Sequence, residues 1–256
     1  MEGLLLSTSK NNQYIKAIEL RRDRIPSFSK YPFNLSAIHD LSTLEMHPKV
    51  TFIVGENGTG KSTMLEAIAT AYGFNPEGGT KNFNFTTAST HSDLHEYIRL
   101  IKGVKAPKDA FFLRAESFYN LASNIDELDR VSPWLPKIID SYGGRSLHEQ
   151  SHGESFFALF MNRFNGKGLY ILDEPEAALS PSRQMALLAR LHDLVEDDSQ
   201  FIIATHSPII MAYPNSIIYE INHGFKKVEY TETEHYQVMK HFINNTDRML
   251  ELLMKP

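Results

Sequence analysis

The chain has 256 residues, of which 42% are hydrophobic and 22% charged, with a formal net charge of −5. That composition fits a globular domain with a sizeable core, and its acidic balance carries no overall signature of nucleic-acid binding. The absence of cysteine excludes disulfides, thiolate metal sites and cysteine nucleophiles.

Met1-Glu2-Gly3-Leu4-Leu5-Leu6-Ser7 has an acidic second residue and an apolar run too short for a signal peptide. No stretch approaches the roughly 18 apolar residues that span a bilayer. We expect no direct membrane insertion and a cytoplasmic location. The first strand is expected at Tyr14–Leu20. Tyr31 and Phe33 follow, each able to stack on a base or to pack in a core.

The apolar run Val50–Val54 leads into Gly55-Glu56-Asn57-Gly58-Thr59-Gly60-Lys61-Ser62, a complete G-x-x-x-x-G-K-S phosphate-binding loop. A helical pattern follows in Leu65, Ile68, Ala69 and Tyr72, so the loop has the strand–loop–helix context its chemistry requires. Gly55, Gly58 and Gly60 allow the tight turn that points successive N–H groups at phosphate oxygens. Asn57, Thr59 and Thr63 fill out the candidate nucleotide contacts. Lys61 supplies a point charge for the β- and γ-phosphates, and the Ser62 hydroxyl can coordinate Mg²⁺. A glycine-rich turn opening an ordinary helix is the bland alternative. Residues 75–92 are rich in Asn, Gly, Thr and Ser, and are expected to form a mobile loop.

Ala110–Leu113 reads as another buried strand, and residues 115–148 as short helices punctuated by Pro and Gly. Ser151 and Glu154, in Gln150-Ser151-His152-Gly153-Glu154, form an S-x-x-E capping box before an expected helix over Ser155–Phe164. The same geometry, with Gly153 permitting close approach, suits an anion.

Leu169–Leu172 forms a strand ending in Asp173-Glu174, with Pro175 behind it. Asp173 can hold Mg²⁺ and Glu174 can take a proton from an attacking water, although a pair of acids can also simply cap a strand exit. Ser180-Pro181 opens a helix with the stripe Leu187, Leu188, Leu191, Leu194 and Val195. Phe201–Ala204 is a further strand, ending in Thr205-His206-Ser207-Pro208. His206 there can donate a hydrogen bond to a γ-phosphate, or be an ordinary surface histidine. Ile217–Ile221 and Phe225–Tyr230 read as strands joined by Asn222-His223-Gly224. Continuous apolar strands separated by helical patterns indicate an α/β fold with a mostly parallel sheet.

In this order the motifs resemble those of the ATP-binding-cassette ATPases. The match runs from about Val50 to His206. Gly55–Ser62 looks like Walker A, and Leu169–Glu174 like Walker B plus the catalytic glutamate. Ala177-Ala178-Leu179-Ser180 resembles the D-loop and His206 the switch histidine. Ser151–Glu154 sits where the family has its S-G-G-Q signature, and Glu116 where it has the Q-loop glutamine, a position associated with the metal. His152, Glu154, Glu116 and Ser180 depart from transporter cassettes. They look more like the predicted AAA-type ATPases of the SMC/RecF-like branch, many of them in DNA repair or antiphage systems, in a short form without the coiled coil.

The resemblance implies a P-loop NTPase fold over residues 1–256, with an antiparallel N-terminal and edge part and a helical, signature-bearing subdomain at 115–155. It implies Mg²⁺-dependent ATP hydrolysis in a head-to-tail homodimer, each site taking Ser151, Gly153 and Glu154 from the other subunit, and a protein partner. Nucleic acid stays open as a partner. The alternatives are the nucleotide-binding subunit of a membrane transporter, a small-molecule P-loop kinase, and a nucleic-acid-responsive switch.

Overall fold

The computed structural model describes residues 13–81, 92–131, 134 and 136–255. In chain order its elements are β1 (Ile15–Leu20), α1 (Ser36–His39), β2 (Thr43–Glu45), β3 (Val50–Gly55), α2 (Lys61–Tyr72), α3 (Leu94–Tyr97), β4 (Ile98–Lys102) and β5 (Asp109–Arg114). There follow α4 (Phe118–Val131), α5 (His152–Ala158), β6 (Gly168–Asp173), α6 (Pro181–Glu196), β7 (Gln200–Ala204) and α7 (Pro208–Met211). The chain then forms β8 (Ile217–Ile221), β9 (Phe225–Val228), α8 (Glu234–Asn244) and α9 (Thr246–Leu253).

Six strands form the main sheet in the order β5-β6-β7-β3-β8-β9. All neighbours are parallel except β8 and β9, a hairpin. β3, β6 and β7 are buried along their whole length, which is why they read as continuous apolar runs rather than alternating ones. Alternate residues serve two cores. Phe52, Tyr170 and Phe201 face the core that contains Phe118, Phe156 and Leu187 from α4, α5 and α6. Ile53, Ile171 and Ile202 face the core that contains Met64, Leu65 and Ile68 from α2. A second sheet, β2-β1-β4, is antiparallel and closes over this latter core with Ile15, Ile18 and Ile98. Two covered faces leave the carboxyl ends of β3, β6 and β7 as the open end of the sheet, where ligands of α/β folds bind.

Every expected strand forms, within a residue or two at its ends. β2 and β4 are additional. The expected helix over Ser155–Phe164 starts earlier and is split: α5 begins after its Ser151 cap, and the chain continues as a π turn over Leu159–Arg163. Of the loop expected at 75–92, residues 82–91 lie outside the described residues. Gly79 is tied into the structure, exchanging two backbone hydrogen bonds with Phe112. Among the described residues no helix is long and apolar enough to cross a membrane.

Candidate functional site

A cleft of about 970 Å³ opens at the carboxyl end of the parallel sheet. One wall is the loop Glu56, Asn57, Gly58, Gly60, Lys61, Ser62 and Thr63; the other carries Glu116, Glu174, His206 and His235. Tyr31 and Leu35 stand at its edge. The size lies within the range of pockets for drug- and cofactor-sized ligands.

The loop has its shape because its glycines adopt backbone that other residues resist. Gly60 has φ +102°, and a Cβ there would come within 3.1 Å of Ala37 and 3.2 Å of Leu35. Lys61 then begins α2 almost fully buried, its Nζ donating to Gly55 O and Glu56 O, both at 2.8 Å. Burial lowers the Lys61 pKa, opposed by the carboxylates of Glu174, Asp173 and Glu176. The ammonium is thus centred in an acidic environment at the mouth of the helix.

Asp173 ends β6, in register with Arg114 of β5 on one side and Ala204 of β7 on the other. Its Oδ1 accepts a 3.1 Å hydrogen bond from Ser62 Oγ. Burial pushes the Asp173 carboxyl up to about 7, against the lowering effect of the Ser62 bond and Arg114. A buried acid with a strongly raised pKa, beside a hydroxyl, suits a hard divalent cation. Among the described residues no three His, Asp or Glu side chains form a cation cluster, so a cation here would draw its other ligands from phosphate or water. Ser62 and Asp173 fit Mg²⁺ on those terms. Glu116 lines the same cleft, mostly exposed, with its carboxylate 3.4 Å from Arg114 Nη2. Arg114 is in turn anchored by Glu66 at 2.7 Å.

Glu174 occupies left-handed backbone, with φ +51°, and its N–H donates to Ala204 O at 3.0 Å. Such a conformation is costly in a non-glycine residue; Lys167, Asp198, Asn215 and His223 share a positive φ, and Glu174 is the one of these five that lines the cleft. Here it brings Glu174 Oε1 to 3.6 Å from His206 Nε2. The His206 backbone N–H donates to the buried carboxylate of Glu176 at 2.5 Å, and His206 Nδ1 lies 2.8 Å from His235 Nε2. Burial, then the charge of Lys61, push His206 down to about 4.

The structure therefore brings Gly58, Gly60, Lys61, Ser62, Thr63, Asn57, Glu116, Glu174 and His206 to one cleft, with Asp173 beneath Ser62. Ser151, Gly153 and Glu154 do not line it. Their capping box is complete: Glu154 Oε2 accepts from Ser151 N at 3.0 Å and Oγ at 2.7 Å. Gly153 has a packing reason within the same chain, since a Cβ would fall 2.5 Å from Ala178 O. Tyr31 is 61% exposed at the cleft, whereas Phe33 is buried edge-on against Tyr97 in the core. Glu176 and His235 are site residues that the sequence reading missed. Glu176 stands in the Asp-Glu-Pro-Glu run, where sequence does not tell it from its acidic neighbours; His235 is marked by no motif.

Residues 28–133 match the model of an AAA domain and residues 152–211 that of an AAA ATPase domain. The energy-coupling factor transporter ATP-binding protein EcfA2 of Staphylococcus aureus (strain USA300) is 26% identical over 189 residues, 67% of this chain and 64% of the relative. The chain thus matches less than two thirds of that relative's length. Among solved structures, the SMC head domain from Thermotoga maritima has a TM-score of 0.43 at 17% identity, covering 85% of this chain and 100% of that one. A nucleotide-free ATP-binding cassette from an ABC transporter has a TM-score of 0.49 at 17% identity, covering 95% and 100%.

Proposed function

We propose that this chain is a P-loop ATPase of the ATP-binding-cassette type, a reading its matches to AAA-domain models support, and that it binds Mg-ATP in the cleft at the end of β3, β6 and β7 and hydrolyses it. The Ser62–Asp173 contact directly beneath the phosphate-binding loop carries this reading. The loop N–H groups and Lys61 bind the phosphates, and Ser62 with Asp173 holds the metal. Mg²⁺ held by Ser62 and Asp173 would supply charge neutralisation to the phosphates. Glu174 accepts a proton as water oxygen bonds to the γ-phosphorus; the anhydride bond breaks, and its electron pair leaves with ADP. His206 donates a hydrogen bond toward the γ-phosphoryl oxygens. The C2 homodimer is the commonest closed assembly. In it, Ser151, Gly153 and Glu154 serve the other subunit's nucleotide, and 115–155 is the helical part of one unit spanning 1–256. The dimer gates or powers a protein partner of the DNA-repair or antiphage type.

A calorimetric titration tests the binding step. Wild type binds Mg-ATP, and a folded Lys61→Ala variant loses most of that affinity; equal affinity in the two contradicts the assignment. The likeness to EcfA2 supports a second reading, a transporter's nucleotide-binding subunit. Stimulation of hydrolysis by DNA or RNA, measured at two salt concentrations, favours the first reading over the second.

A further inference from the structure

The second histidine of the cleft, His235, comes from the start of α8 and is not part of any motif in the chain. Its position is independently fixed. Thr233, fully buried, caps α8 by accepting from Tyr236 N and donates to Tyr230 O at 2.8 Å. Glu220 of β8 accepts from Glu234 N at 2.8 Å, and Tyr230 OH donates to Pro208 O at 2.9 Å, two residues beyond His206. These bonds hold the first turn of α8 against the switch segment. His235 Nε2 is thereby placed 2.8 Å from His206 Nδ1.

A contact of that length between two imidazoles needs one proton between the nitrogens, so one ring donates and the other accepts. Two arrangements are available, and their surroundings differ. If His206 donates from Nδ1, its Nε2 becomes a bare lone pair 3.6 Å from the Glu174 carboxylate, an unfavourable pairing. His235 would then carry its other proton on Nδ1, a buried atom with no hydrogen-bond partner among the described residues. Orphaned buried N–H donors are rare and costly. If His235 donates from Nε2 instead, its buried Nδ1 carries no proton, and His206 holds its proton on Nε2, facing Glu174. In this second arrangement His235 Nδ1 needs no acceptor. His206 Nε2, itself buried with no partner within hydrogen-bond distance among the described residues, turns its proton toward the Glu174 carboxylate 3.6 Å away, an attraction where the first arrangement has a repulsion. Burial lowers the pKa of both histidines and Lys61 lowers both further, opposed at His235 by the carboxylates of Glu234, Glu220 and Glu56.

We propose that His235 is a positioning residue: it donates from Nε2 to His206 Nδ1 and so fixes His206 in the tautomer whose proton sits on Nε2, the nitrogen on the Glu174 side of the cleft. The functional consequence rests on the reading of this cleft as the ATP site. A donor at Nε2 can bond phosphoryl oxygen, whereas a lone pair there repels it. Through this bond the start of α8, an element outside the Walker motifs, sets the hydrogen-bonding polarity of the switch histidine.

The test compares His235→Ala, His235→Gln and His235→Glu in the full chain. Long-range ¹H–¹⁵N correlation spectra report the tautomer of His206, and ATP binding and turnover are measured on the same samples. Gln can place an amide donor near the former Nε2, whereas an ionised Glu can only accept. Wild type and His235→Gln should show His206 protonated on Nε2. His235→Ala should show mixed tautomers, and His235→Glu a proton moved to Nδ1. Turnover should fall roughly ten-fold in Ala, more in Glu, and recover to within about three-fold in Gln, with Mg-ATP affinity changed far less than kcat. A His206 tautomer unchanged in both Ala and Glu variants overturns the positioning role. A tautomer that shifts as described while turnover stays constant leaves the positioning role intact and removes His206 from the hydrolytic site.

Discussion

Ser62 and Asp173, 111 residues apart in sequence, meet through a 3.1 Å hydrogen bond where α2 begins and β6 ends. The bond joins the phosphate-binding loop to the acid strand across the β7 strand that separates β3 from β6 in the sheet. Asp173 is there as a buried acid whose burial outweighs the Ser62 hydroxyl and the charge of Arg114, so its carboxyl is held up to about 7 from an ordinary 3.8. Burial supplies most of that displacement, which is a cost to the fold whenever the group is ionised.

Asp173→Asn should therefore stabilise the metal-free protein at pH 8. The unfolded chain releases the Asp173 proton near pH 3.8 and the folded chain near 7. In that window the folded state binds more protons, so the contribution of Asp173 to stability falls as pH rises. Thermal unfolding at pH 4, 6 and 8 should show a gain in Tm for Asp173→Asn that grows with pH and levels off above about 7. The same variant should lose Mg-ATP-dependent stabilisation. A gain that shrinks with rising pH would contradict the inverted titration.

Gly153→Ala should be destabilising for a reason separate from nucleotide chemistry. The new Cβ would meet Ala178 O at 2.5 Å, a backbone atom, while the Arg183 side chain at 2.9 Å can swing aside. Overpacking of this kind costs about 1–3 kcal/mol. In a chain of this size that corresponds to a Tm lower by roughly 2–4 °C per kcal/mol, read by thermal denaturation without nucleotide. An unchanged Tm would show that the Ala178 segment yields freely.

The assignment of Ser151 to the other subunit's nucleotide predicts complementation. Ser151→Arg and Lys61→Ala should each be nearly inactive alone. Their heterodimer would gather both lesions in one composite site and leave the other intact. With free exchange and independent sites, mixing should restore roughly a quarter of wild-type turnover, since half the dimers carry one good site. Wild type mixed with Lys61→Ala controls for sites that must fire together. No recovery from a confirmed heterodimer, with that control active, refutes the assignment.

The parts of this site carried by consecutive residues were legible in the sequence. Gly55–Ser62, Asp173-Glu174 and His206 each follow a buried apolar strand, and strand plus loop is a local pattern. His235 was not legible, because it reaches His206 from a helix 29 residues further along and a histidine in a helical first turn has no distinguishing neighbours. Glu176 was hidden by its company: adjacent acids can all be solvated, and only the fold shows this one buried against the His206 backbone N–H. Gly153 reads from sequence as room for an anion, and the structure adds a backbone neighbour, Ala178, that needs the same space. β2 is too short at three residues to carry a period, and β4 mixes Ile98 and Leu100 with Arg99 and Lys102, a weak alternation on the smaller sheet.

The central claim is that Glu174 is the base of an ATP-hydrolysing site, aimed by its left-handed backbone toward the His206 side of the cleft. Single-turnover hydrolysis of Mg-ATP by Glu174→Gln, paired with calorimetric affinity on the same protein, tests it most directly. The amide keeps the size of the side chain and cannot accept the water's proton. Affinity should stay within about three-fold of wild type while the hydrolytic rate falls roughly 10²–10⁴-fold. A folded Glu174→Gln protein that binds Mg-ATP normally and hydrolyses it at the wild-type rate would contradict the account.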